Sequence, residues 1–164
     1  MSGRPPWDGG SPHSPRGGLL LAEDTAWAEL RAITDRLNAE QLTRLGYQED
    51  WSVKDLLAHM ACWDAEAAQA LEQLRLGTYP GLDREDDDFN RECFEACRDL
   101  DLDTVWAQLH SARARMLEEL GCLPDDFLTR GSVAWEWFEE SAITHNDEHL
   151  PRLREWVELL EIPE

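Results

Sequence analysis

EESAITHNDEHLPRLREW, from Glu139 to Trp156, carries His145 and His149 four residues apart. On a helix, residues at that spacing lie on one face, one above the other. Two imidazoles so placed grip one divalent ion without bending the backbone. Asn146, Asp147 and Glu148 lie between them and suggest a surface segment. A step of about 100° per residue argues otherwise. Phe138, Ala142, His145, His149, Leu153 and Trp156 project into one sector, while Asp147, Arg152 and Arg154 point elsewhere. The histidines therefore ride on an apolar stripe, where a helix meets its neighbours. Buried neutral imidazoles need partners for their ring nitrogens, and one ion satisfies two at once. Pro151 removes an amide donor and crowds the preceding turn. The helix, which starts near Ser132 and Val133, should kink there or restart with Pro151 in its first turn.

Three more helical segments precede it. Leu19, Leu20, Ala26, Trp27, Leu30, Ile33 and Leu37 recur at helical spacing from Gly18 to about Leu37, and a short turn of helix follows from Ala39 to Leu45. Ser52 is a good N-cap, and Asp55 three residues on resembles a capping box. The helix it opens runs to about Leu76 and ends at Gly77. Its apolar face is Val53, Leu56, Leu57, Met60, Ala67, Leu71 and Leu74. His59 lies beside that face, in the sector of Trp63 and Glu66. After a connector from Thr78 to Asp88, a third helix opens near Asp86 with Phe89, Cys93, Phe94 and Cys97. It breaks around Asp99 to Asp103, resumes with Val105, Trp106 and Leu109, and is closed by Gly121 ahead of Pro124. No stretch alternates with strand period and no repeat occurs. The reading is all-α: a four-helix bundle over residues 18–164, preceded by a disordered tail over residues 1–17, rich in Pro and Gly.

Composition narrows the partners. The 164 residues hold 35 Asp and Glu against 15 Lys and Arg, a formal charge of −20. Such a surface repels phosphate backbones and anionic lipid alike. No basic patch offsets it, since Arg152 and Arg154 are flanked by Glu148, Glu155 and Glu158. Nucleic acid and membrane are therefore not expected partners. No apolar run approaches the roughly 20 residues that span a bilayer. The N-terminus lacks the apolar core of a signal peptide, so the expected location is the cytoplasm. Cys62, Cys93, Cys97 and Cys122 read as small buried apolar residues, although Cys93 and Cys97 are spaced to chelate. The eight tryptophans read mostly as core, some lining a pocket.

His59, His145 and His149 together would leave coordination positions open for water or substrate, as in a catalytic zinc site. Imidazole also suits nickel, iron and copper. A divalent ion there would acidify a bound water or thiol and polarise a carbonyl. Glu66 and Glu148 are the carboxylates expected to act as general base or to orient a ligand. His110 lies one residue off its stripe and reads as an ordinary boundary histidine.

Three stretches together resemble a known family: WSVKDLLAHMACWDAEAAQAL at Trp51 to Leu71, DDFN at Asp87 to Asn90, and HNDEHLPRLREW at His145 to Trp156. They are similar to the DinB-like superfamily, which includes the metal-binding N-terminal domain of mycothiol-dependent maleylpyruvate isomerase and the bacillithiol transferases. The similarity spans about Leu19 to Glu161. It implies an up-down-down-up four-helix bundle, often a homodimer, and it places the family's metal-binding triad on His59, His145 and His149. Known members are metal-dependent thiol transferases, isomerases or hydrolases. The sequence shows no counterpart of the second domain of maleylpyruvate isomerases, which points away from that particular reaction.

Two functions follow as expectations. In the first, zinc or nickel on the three histidines activates a low-molecular-weight thiol or a water for attack on a small molecule, as in a thiol S-transferase or hydrolase. In the second, a cavity lined by Trp63, Trp135 and Trp137 sequesters a small molecule without catalysis. A structural dimer whose histidines are core polar residues is a third possibility.

Overall fold

A computed structural model describes residues 11–161 of the chain. Among them the architecture is all-α: α1 (Pro15–Thr34), α2 (Ala39–Thr43), α3 (Val53–Leu76), α4 (Asp86–Cys97), α5 (Leu102–Cys122), α6 (Val133–Glu139) and α7 (His145–Glu161). A 3₁₀ turn at Asp125–Phe127 precedes α6, and a π-helical segment at Glu140–Thr144 joins α6 to α7. No strand forms among the described residues. An isolated bridge pairs Gln48 with Trp51. No described helix is long and apolar enough to cross a membrane.

Helix starts obey local chemistry. Ser14 caps α1 by accepting from the Gly17 amide at 3.0 Å, with Pro15 in the first turn. The tail expected over residues 1–17 is therefore too long, because α1 begins inside it. Proline suits a first turn, whose amides lack helical partners anyway. Gly17 is needed there, since a Cβ would stand 2.2 Å from the Ser11 carbonyl oxygen. The remainder of that expected tail, residues 1–10, lies outside the described residues, as do residues 162–164. At the start of α3 the capping box forms: the Ser52 amide donates to Asp55 Oδ2 at 2.8 Å, and the Asp55 amide to Ser52 Oγ at 3.3 Å. Gly77 ends α3 with φ 71°, a left-handed turn that glycine adopts without strain. Gly121 does not close α5, which runs to Cys122 and stops where Leu123 is drawn extended ahead of Pro124.

Four long elements share the core, namely α1, α3, α5 and the run from α6 through α7. They bury two apolar clusters. One holds Leu30, Leu56, Leu57, Val105, Leu109, Leu153 and Val157. The other holds Leu19, Ala67, Leu71, Met116, Leu120, Phe138 and Ala142. α1 and the α6–α7 run pass from the second cluster to the first, and α3 and α5 pass from the first to the second. α4 packs on the outside of α3, with Trp51 stacked on Phe94 at 5.4 Å and Trp63 edge-on to Phe89 at 4.7 Å.

Candidate metal centre

Two helices aim three imidazoles at one point. His59 lies one turn past Asp55, so the cap that fixes the start of α3 also fixes its azimuth. His145 opens α7 and His149 follows one turn on. The π segment sets their phase. Its wider i→i−5 bonding takes up one extra residue, seen where the His145 amide bonds to the Glu140 carbonyl. Ala134, Phe138, Ala142, Asn146 and Leu150 are all buried. That four-residue spacing drifts around a regular 3.6-residue helix, and the extra residue absorbs the drift. The buried stripe of α7 is therefore Asn146, Leu150, Leu153 and Val157. The histidines lie at its edge, half-buried, rather than along its centre. Of the two outcomes expected at Pro151, the restart does not occur: α7 runs through Pro151, and the departure from α-helix lies upstream. Asn146 Nδ2 supports that segment by donating to the Ala142 carbonyl at 2.7 Å.

The Nε2 atoms of His59 and His145 stand 2.7 Å apart, and those of His145 and His149 3.0 Å. Ring nitrogens of the three all lie within 4.8 Å of one another, and they are the group of metal-capable side chains found among the described residues. They fit one ion. At metal–nitrogen distances of about 2.0–2.1 Å, adjacent ligands stand about 3 Å apart. A chain of hydrogen bonds fits less well, because His145 Nε2 faces two other Nε2 atoms and can offer at most one proton. Burial holds the rings in the neutral, ligating form. It lowers His59 to about 4, helped by nearby His149, and His145 to about 3, helped by His59 and His149. Burial also lowers His149, against the opposing charge of Glu148. Aromatic rings hold the imidazoles in place: Trp51 lies 5.4 Å from His59, and Trp63 6.2 Å from His145. His59 Nδ1 is buried with no hydrogen-bond partner among the described residues.

The triad opens onto a cavity of about 690 Å³ whose lining includes all three histidines, Trp51, Trp63, Tyr79, Trp137 and Glu148. Of the tryptophans expected there, Trp63 and Trp137 line it. Trp135 does not, for its Nε1 donates to Glu139 Oε2 at 3.0 Å and its ring packs on the second apolar cluster. The two carboxylates expected at the site part company. Glu148 lines the cavity. Glu66 is held by Arg84 at 2.9 Å and is not among the lining residues. Sequence reasoning missed Trp51 and Tyr79. Trp51 was legible as the residue before the cap, eight residues or about two helical turns ahead of His59. Tyr79 lay in a connector, and only the fold brings its hydroxyl to Trp137 Nε1 at 2.8 Å.

The cysteines are free thiols: Cys93 is buried, Cys62 and Cys97 are half-buried, and Cys122 is exposed, contrary to the expectation of four buried apolar residues. Cys93 and Cys97 belong to no metal-capable group of three among the described residues. Cys62 neighbours both, and contact with Cys93 and burial push its thiol up. His110 is exposed between Trp27 and Trp106, away from the site, as expected of a boundary residue.

A solved structure of an uncharacterised protein from Escherichia coli UTI89 superposes with a TM-score of 0.75 at 16% identity, covering 93% of this chain and 98% of that one. That likeness shows a shared fold. No curated protein matches the chain. The family described as "Mycothiol maleylpyruvate isomerase N-terminal domain" matches over residues 24–157, which include all three histidines. The chain therefore belongs to that DinB-like family.

Proposed function

We propose that this protein is a divalent-metal-dependent enzyme that joins a thiol or a water to a small electrophile held in the cavity. The convergence of three neutral imidazoles on the cavity wall carries this reading. His59, His145 and His149 would hold the ion, with zinc or nickel suited to three imidazole nitrogens. When bound, such an ion makes a coordinated thiol or water a stronger acid and a better nucleophile at neutral pH. The chain supplies the rest. Glu148 projects from the same helix as His145 and His149 and takes the proton released by the nucleophile. Trp51, Trp63 and Trp137 bind the electrophile and exclude water. The family's name ties other members to mycothiol, and a low-molecular-weight thiol is the nucleophile we assign. In that reaction the thiol sulfur forms the new bond, the electrophile loses its leaving group or its ring opens, and Glu148 passes the thiol proton to the departing group or to the oxygen of the opened ring. We also read the long elements as an up-down-down-up bundle, supported by the order in which each passes through the two apolar clusters.

The test is a panel of low-molecular-weight thiols and water against activated aryl halides, epoxides and esters. Turnover should require zinc or nickel, vanish with chelator, and fall about 100-fold in Glu148→Gln. The cavity's size and aromatic walls also favour a second reading, in which it sequesters a small molecule without turnover. Tight binding of a ligand with no metal-dependent turnover of any pair would select that reading.

A further inference from the structure

The cavity walls carry charge of one sign. Asp86, Glu136, Glu140 and Glu148, all solvent-exposed, line the cavity's rim, and no Lys or Arg lines it. Among the described residues none of these four carboxylates is held in an ion pair. The arginine nearest in sequence, Arg84, is engaged elsewhere: it pairs with Glu66 at 2.9 Å and lies over the Phe89 ring at 3.7 Å. Three neutral imidazoles add no charge, and a divalent ion would offset only half of the four carboxylates.

The aromatic walls point the same way. Trp63 Nε1 already donates to Asn90 Oδ1 at 2.9 Å, and Trp137 Nε1 to the Tyr79 hydroxyl at 2.8 Å. With those N–H groups used, the π surface is what the two indoles offer a ligand, and π faces are electronegative. Unpaired carboxylates and π faces select the same chemical group. A cavity of about 690 Å³ suits a small molecule and not a polymer.

We propose that the cavity takes an organic cation, so that the electrophilic substrate carries an ammonium or alkylated ammonium group, and that it rejects free carboxylates. This rests on the reading of the cavity as the working site and adds the charge class of what enters it. The carboxylates draw the cation in, a divalent ion at the histidines leaves the wall still negative, and the rings stack on the cationic methyl or methylene groups.

The test compares three molecules of one shape: choline, its neutral carbon isostere 3,3-dimethylbutan-1-ol, and the anion 3,3-dimethylbutanoate. Each is titrated into the full chain at low salt, as purified and after chelation, with tryptophan fluorescence and calorimetry as readouts. Choline should bind at least about tenfold tighter than the alcohol, and the preference should shrink as salt is raised. The chelated protein should not bind the butanoate. The double variant Glu136→Gln, Glu140→Gln should cut the preference at least about threefold, with an unchanged circular dichroism spectrum. Failure of choline to bind, equal affinity for choline and the alcohol, or tighter binding of the butanoate by the chelated protein would overturn the proposal. Metal content of the same samples separates the two readings. A choline preference in protein that holds no metal would sink the metal-dependent enzyme alone, and stoichiometric metal without the preference would sink the cation proposal alone.

Discussion

His59 is held neutral by burial, and that has a consequence for metal-free protein. Its folded pKa is lowered to about 4 from an ordinary 6.5. Between those values the unfolded chain takes up a proton that the folded chain refuses, so the unfolded state gains as pH falls. The stabilisation is full above about 6.5 and is lost progressively down to about 4. In chelator, wild type should lose about 2 kcal/mol more than His59→Gln between pH 7 and pH 5, read by urea unfolding. Parallel pH profiles of the two proteins would show that the ring is not buried neutral. The neutrality of these rings follows from the fold around them, since a sequence gives the spacing of His145 and His149 but not the depth at which they lie. Glu66 shows the same limit. It shares a helix sector with His59 in the sequence, yet Arg84 of the following connector holds it at 2.9 Å. That pairing joins two segments whose approach no local rule predicts.

At the scale of the element, what was legible is what local chemistry decides. Ser52 and Asp55 announced the start of α3, Gly77 its end, and the stretch from Asp99 to Asp103 the gap between α4 and α5, which falls slightly earlier, between Cys97 and Leu102. The Glu140–Thr144 π segment was not legible. A uniform step of 100° per residue carries Phe138 and Ala142 into the sector of the histidines, whereas the wider turn rotates that sector toward Asn146 and Leu150. Pro151 was read as a kink or a restart because an interior proline lacks the amide donor, and α7 continues past it without restarting. The helix bears that cost, so removing it should stabilise the protein. Pro151→Ala restores a donor toward the Asp147 carbonyl. It should raise stability by about 1–3 kcal/mol, the helix-interior penalty less the unfolded-state entropy that proline saves. Metal content should not change. A lower melting temperature in Pro151→Ala would mean that the proline fixes a geometry α7 requires.

Across the whole molecule, a polar layer separates the two apolar clusters. Arg113 of α5 clasps buried Glu23 of α1 through two hydrogen bonds of 2.6 and 2.9 Å. Asp64 of α3 sits beside them, its pKa raised first by burial and then by the Glu23 charge, with Arg113 opposing. Asn146 of α7 lies at the corresponding level, between Ala142 of one cluster and Leu150 of the other. Removing the arginine strands two buried acids, whereas neutralising Glu23 also relieves Asp64. Arg113→Met should therefore cost about 3 kcal/mol at pH 7, and Glu23→Gln should cost less; the reverse order in urea unfolding would contradict this account of the layer. The overall all-α plan was readable from periodicity. The layer was not, because its members are scattered from residue 23 to residue 146 and none stands out in its own helix. The central claim concerns the other polar cluster, the histidine triad. Elemental analysis of protein made without a histidine tag should find one divalent ion per chain in wild type and less than about a tenth of that in His149→Ala, since loss of one of three ligands removes most of the affinity. Metal-free wild type after growth and purification with zinc or nickel supplied, or stoichiometric metal in His149→Ala, would contradict it.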